Sequence, residues 1–182
     1  SPRDWSSDVC SSDLRRPGVL SVNVSGVEFV RGRIQETARK TLETSQLPAQ
    51  FLELEITESA IMSHAENSAQ TLDKLRSMGL TLVIDDFGTG YSSLAYLKRL
   101  PLNKLKIDQS FVRGLPDGAE DCAIVRAVIA LAHSLQLTVI AEGVENEAQQ
   151  EFLTREGCDE MQGYLHGRPM PFDEYERRFL ND

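Results

Sequence analysis

Residues 52–56 read Leu52-Glu53-Leu54-Glu55-Ile56, and residues 21–25 read Ser21-Val22-Asn23-Val24-Ser25. Apolar and polar side chains alternate in both, so each segment is an extended strand with one apolar and one polar face. A doubly wound sheet carries helices on both faces, and its strands should be apolar throughout. A β/α barrel has helices only outside, and its interior can turn polar near a functional rim. The alternation therefore favours the barrel, with a site at the C-terminal strand ends.

Working outward, the same reading places strands over 19–24, 51–56, 81–85, 104–107, 138–141 and 158–162, with a weaker one near 164–165. Helical periodicity fills 28–45, 63–78, 92–99, 119–135, 147–156 and 172–180. Pro48, Gly79, Pro101 and Gly157 punctuate the returns from helix to strand. Strands alternating with helices predict a parallel sheet with right-handed crossovers. The expected fold is thus α/β, a TIM-type β/α barrel.

Polar residues gather where these strands end. The apolar run 80–84 stops at Asp85 and Asp86, and the glycine-containing loop 87–93 follows. Two adjacent desolvated carboxylates repel unless a cation or a proton joins them, although Asp and Gly are also ordinary turn residues. Asn23 ends the first strand, Glu55 the second with Glu58 just beyond, Lys106 the fourth with Asp108 two residues on, and Glu142 the fifth, followed by Glu145. Gln162 ends the next. Hard oxygen donors without paired His or Cys suit Mg²⁺ or Mn²⁺ rather than structural zinc. Singly, each residue has a structural alternative: Glu58 as a carboxylate at a helix N-terminus, Lys106 as the ion-pair partner of Asp108 or Glu142, Asn23 as a turn cap. Their shared rim argues for a site. His64, His133 and His166 are scattered and take no catalytic role here.

The chain has 182 residues, enough for one domain with a core, and a net charge of −9. That charge argues against DNA, RNA duplexes or an anionic membrane surface as partners, yet allows a small anionic ligand if cations mediate the contact. No apolar stretch approaches the roughly 20 residues of a membrane span, and the first residues lack a secretory h-region. The cysteines, Cys10, Cys122 and Cys158, have no metal spacing and no even count, as in a reducing cytoplasm. Within the polar stretch 6–14, the run 7–14 resembles the translation of a sequencing-library adapter, so residues 1–14 are read as a foreign tail. The tail carries −2, so −7 remains without it.

The runs LELEITES, LVIDDFGTGYSSL, LKIDQSFV, VIAEGVE and MQGYLHGRPM, in this order, resemble the motifs of the EAL family of cyclic di-GMP phosphodiesterases across residues 18–180. The resemblance implies a modified β/α barrel that hydrolyses this bacterial second messenger to linear pGpG with two Mg²⁺ or Mn²⁺ ions. Asn23, Glu55, Asp85, Asp86 and Glu142 correspond to metal-site residues. Lys106 corresponds to the lysine that contacts the attacking water or the metal-site oxygens, and Lys106, Glu142 and Glu55 are the expected catalytic set. Glu145 and Gln162 correspond to rim residues that bind ligand or water. Glu58 corresponds to the anchor of the loop 86–93, which the family ties to metal binding and to a homodimer.

One motif is missing. No Glu-Ala-Leu occurs before Asn23, and in the family its glutamate ligates metal on the first barrel strand. Residues 15–182 are therefore read as an EAL domain lacking its first strand and helix. Such a barrel is open at its edges and is expected to be poorly stable and weakly active. Two uses of the domain stay open: an enzyme, or a degenerate domain that binds cyclic di-GMP or a protein partner. The domain itself is expected in the cytoplasm; sensor or cyclase domains often accompany such domains, and a membrane anchor in upstream segments is compatible with this one.

Overall fold

The computed structural model describes residues 18–63, 65–88 and 94–179. The expected foreign tail 1–14, His64, residues 89–93 of the loop 86–93 and Leu180 lie outside these. Six strands form one parallel sheet: β1 (Leu20–Val24), β2 (Leu52–Thr57), β3 (Thr81–Phe87), β4 (Lys104–Ile107), β5 (Thr138–Glu142) and β6 (Glu160–Gln162). Spatial order equals sequence order. A doubly wound sheet would reverse direction at a switch point; an unreversed order curls toward a barrel. The described strands make a half-barrel, with helices on its outer face.

The outer positions of β2, Leu52, Leu54 and Ile56, are buried in the core with Leu82, Ile84, Leu105, Ile107, Val139 and Ala141. Full burial of such side chains contributes about 1.5–3 kcal/mol each. The inner face carries the expected polar residues and encloses them: Glu53 and Glu55 are both buried. Glu53 lies 2.7 Å from the Lys104 ammonium and accepts from the Ser21 hydroxyl at 3.3 Å, while Glu55 accepts from Lys106 at 2.8 Å. Acids and lysines on neighbouring strands neutralise one another inside the curl. At β1 the outer face is less covered: Leu20 and Val22 remain 41% and 40% exposed.

Helices differ from the sequence expectation where backbone geometry intervenes. The predicted helix 28–45 is two helices, α1 (Gly26–Val30) and α2 (Ile34–Ser45), broken at Gly32 with φ 69°. A residue in the left-handed region cannot continue a right-handed helix. The predicted helix 63–78 begins earlier, as α3 (Glu58–Ser63) and α4 (Ala65–Ser77). Only Leu94–Leu97 of the predicted 92–99 is helical among the described residues (α5).

A four-residue helix, α6 (Gln109–Val112), follows β4 and was not expected; the Asp108 carboxylate caps it by accepting from the Ser110 N–H at 2.9 Å. Then come α7 (Ala119–Ser134), α8 (Glu147–Arg155) and α9 (Phe172–Phe179). The weak strand expected near 164–165 is a turn. There the chain bonds twice to Val144, which donates to the Gln162 carbonyl at 3.0 Å and accepts from the Leu165 N–H at 3.0 Å. Gly163 lies so close to the Val144 backbone that any side chain would collide with it.

Candidate active site

The C-terminal end of β3 brings two consecutive acids to one rim. In a regular strand Asp85 and Asp86 would face opposite sides. Here the β3–β4 register shifts between Ile84 and Phe87, and Asp86 takes φ 55°. The bulge turns the second carboxylate back toward the first. Left-handed backbone costs a non-glycine residue about 1–2 kcal/mol, a strain characteristic of functional positions. Asp85, Asp86 and Glu142 each offer an oxygen within 4.8 Å of the others, close enough to share a cation. Their donor set, three hard carboxylates, fits Mg²⁺ or Mn²⁺ chemistry.

Lys106 occupies the centre of the acids and is only 2% exposed. Its ammonium bonds to Glu55 at 2.8 Å, lies 3.4 Å from Asp85, and pairs closely with Glu142. Burial alone would lower its pKa; the bonds to Glu142 and Glu55 outweigh this and hold it above the ordinary lysine value. Burial raises the Glu142 pKa, opposed by Lys106, and raises that of Asp86, helped by the Asp85 and Asp108 charges. Asp108 moves downward: burial would raise it, but bonds from Ser110 and the contact with Asp86 prevail. Protons and cations therefore compete at Asp86 and Glu142.

Not every expected residue joins this cluster. Asn23 stands beside Glu55 in the sheet register but is exposed on β1. Glu55 spends an oxygen on Lys106. Glu58, 1% exposed at the start of α3, accepts from the Gly88 N–H at 3.0 Å and so ties down the chain leaving β3. Glu145 and Gln162 line, with Glu142, a cavity of about 350 Å³ beside the acids. The sequence reading passed over Asp108 as a site residue, although it stands two positions after Lys106. It also passed over Gln109, Arg113 and Tyr164, which line the same cavity, although Gln109 and Tyr164 stand inside the runs LKIDQSFV and MQGYLHGRPM; nothing local marks Arg113. His133 sits 3.0 Å from Asp159, away from the cluster, and His166 lies in the turns after β6.

The family model described as EAL domain matches residues 4–169. The chain belongs to the EAL domain family. The match begins inside the stretch read as a foreign tail, which lies outside the described residues. This EAL domain is 49% identical over 155 residues to a bifunctional diguanylate cyclase/cyclic di-GMP phosphodiesterase, MucR of Pseudomonas aeruginosa, covering 85% of this chain and 23% of MucR. It is 46% identical over 166 residues to the cyclic di-GMP phosphodiesterase NbdA of the same organism, covering 90% of this chain and 21% of NbdA. The EAL domain thus spans under a quarter of either relative. Among solved structures, the MucR phosphodiesterase in complex with cyclic di-GMP superposes with TM-score 0.84 at 48% identity, covering 86% of this chain and 64% of that one. No described helix is long and apolar enough to cross a membrane.

Proposed function

We propose that this EAL domain is a metal-dependent phosphodiesterase that opens cyclic di-GMP to linear pGpG. One observation carries the reading: Asp85, Asp86 and Glu142 converge within 4.8 Å at the strand ends, with the Lys106 ammonium wedged beside them. The likeness to MucR and NbdA, named for this activity, supports it. In this reading Asn23, Glu55, Asp85, Asp86 and Glu142 hold two Mg²⁺ or Mn²⁺ ions. Bound divalent ions supply charge neutralisation at the phosphate and an acidified water at neutral pH.

The chain's own residues set the geometry. Lys106 holds Glu55 and Glu142 in place and presents positive charge where a phosphorane would carry negative charge. Glu145 and Gln162 shape the entry beside Glu142. Hydrolysis forms one new P–O bond from water and breaks one ring P–O bond, with water's proton ending on the departing sugar oxygen. A homodimer built near the loop after β3 belongs to the same reading.

The test is incubation of the chain with cyclic di-GMP and Mg²⁺ or Mn²⁺, with products resolved by chromatography. Cation-dependent pGpG is the expected result. Tight binding with no pGpG would select the other use of the domain, a cyclic di-GMP receptor.

Glu58 supplies a prediction of its own. Glu58→Ala removes the acceptor of the Gly88 N–H and should raise the cation concentration needed for half-maximal turnover about 10–100-fold, as loss of supporting shells does. Glu58→Gln, which keeps an acceptor oxygen, should shift it less. Cation titrations that coincide for all three proteins would refute the anchoring role.

A further inference from the structure

The cavity beside the acids holds one cation that the proposed chemistry leaves unused. Arg113, just past α6, lines it together with Gln109, Glu142, Glu145, Gln162 and Tyr164. Its guanidinium is steered by Gln109, whose Oε1 accepts from Nη2 at 3.0 Å. Among the described residues no carboxylate lies within ion-pairing distance of it. Arginine carries five N–H donors in a rigid fork, so one bond to Gln109 leaves the others for a ligand.

The walls around Arg113 are fixed by backbone. Gly143 has φ 74°, and a Cβ there would stand 2.7 Å from the Gln109 Cβ, so Gln109 packs where it does because residue 143 has no side chain. The buried Gln149 amide joins the two sides: its Oε1 accepts from the Glu145 N–H at 2.8 Å, and its Nε2 donates to the Val112 carbonyl at 3.1 Å. Arg113 therefore leaves a pinned backbone beside a pinned glutamine. On the far wall the Tyr164 ring carries the Arg168 guanidinium over it, 4.6 Å from the ring centre. Such a ring is a platform on which a base can stack.

We infer that Arg113 recognises one guanine of the ligand through its O6 and N7 edge, with Tyr164 as the stacking wall. The inference rests on the cyclic di-GMP reading above. A phosphate beside Arg113 would face the Glu145 carboxylate, which holds no ion in that reading, and be repelled; a neutral base is not. An arginine fork matches the paired acceptors of guanine, whereas adenine offers a donor in place of O6. The subsite is thus a specificity determinant next to the metal acids, separate from the phosphate chemistry.

Calorimetric binding of cyclic di-GMP and cyclic di-AMP to the chain, R113A and R113K, with chromatography to verify intact ligand, tests this. R113A should bind cyclic di-GMP about 5- to 150-fold more weakly, the range of a bidentate contact, with little change for cyclic di-AMP. R113K, which keeps charge but loses the fork, should resemble R113A. Arg113 is exposed, and its removal should leave the thermal midpoint unchanged. Unaltered cyclic di-GMP affinity in R113A overturns the proposal. Equal losses for both dinucleotides also overturn it, making Arg113 a phosphate contact. A parent chain that binds neither ligand sinks the cyclic di-GMP reading itself, and this proposal with it.

Discussion

Lys106→Met is expected to lower cyclic di-GMP turnover about 10²–10³-fold, the range seen when one positioned transition-state donor is lost, and to destabilise the cation-free chain at the same time. The ammonium is buried against Glu55, Asp85 and Glu142. Removing one partner of a buried ionic cluster strands the others and costs about 3–5 kcal/mol. For a chain of this size that is a fall of roughly 6–20 °C in thermal midpoint.

The pH dependence follows from the sign of each shift. The Lys106 pKa is raised in the folded state, so its stabilising contribution is complete below the ordinary lysine value near 10.4 and is lost only as pH rises through the folded value. In the parent this contribution is flat across neutral pH. In the variant Glu142 and Asp86 have lost the ammonium charge that opposes their upward shifts, and their raised pKa values rise further. The folded variant then binds more protons than the unfolded chain, so its stability recovers on acidification. The deficit in thermal midpoint should be largest near about pH 8 and shrink toward about pH 5. Added Mg²⁺ or Mn²⁺ should also reduce it, by supplying the missing positive charge. Equal midpoints for variant and parent near pH 8 would show that Lys106 does not neutralise the cluster.

Asp85→Asn should act in two opposite directions. The change keeps the side-chain shape and removes one of three crowded charges. Burial is the largest cause of the raised pKa values of Asp86 and Glu142, and the Asp85 charge adds to both. Relieving that repulsion should raise the thermal midpoint of the cation-free chain. Function should suffer: weaker cation binding is expected to cut turnover about 10²–10⁴-fold, several kcal/mol of charge stabilisation. The midpoint increase produced by saturating Mg²⁺ or Mn²⁺ should fall with the affinity. Stability gained where activity is lost is the usual trade at an active site. Scanning calorimetry with and without cation, beside the turnover assay, measures all three quantities. A variant that keeps both its cation-induced shift and its turnover would remove Asp85 from the metal site.

Much of this architecture is legible in the chain itself, because it depends on local periodicity. The two-residue repeat in 52–56 assigns Leu54 to the outer face and Glu55 to the inner one, and the structure keeps that assignment. The alternation of strands with helices, the acids at strand ends and the family motifs are likewise properties of short segments. The errors are local as well. Gly32 divides a predicted helix, and the contact of Gly163 with Val144 makes a turn of a predicted strand.

Tertiary structure alone decides who faces whom. Glu55 and Lys106 are 51 residues apart, and only the register of three strands puts them 2.8 Å from one another. Period two places Glu53 and Glu55 on the inner face but cannot name their partners, because the lysines that neutralise them stand on another strand. A left-handed φ at Asp86, invisible to residue type, turns two consecutive acids toward one rim. The cavity around Arg113 depends on three separate loops, each pinned by glycine contacts or by Gln149. Sequence patterning specifies faces and ends; the folded backbone specifies distances, and distances set the chemistry.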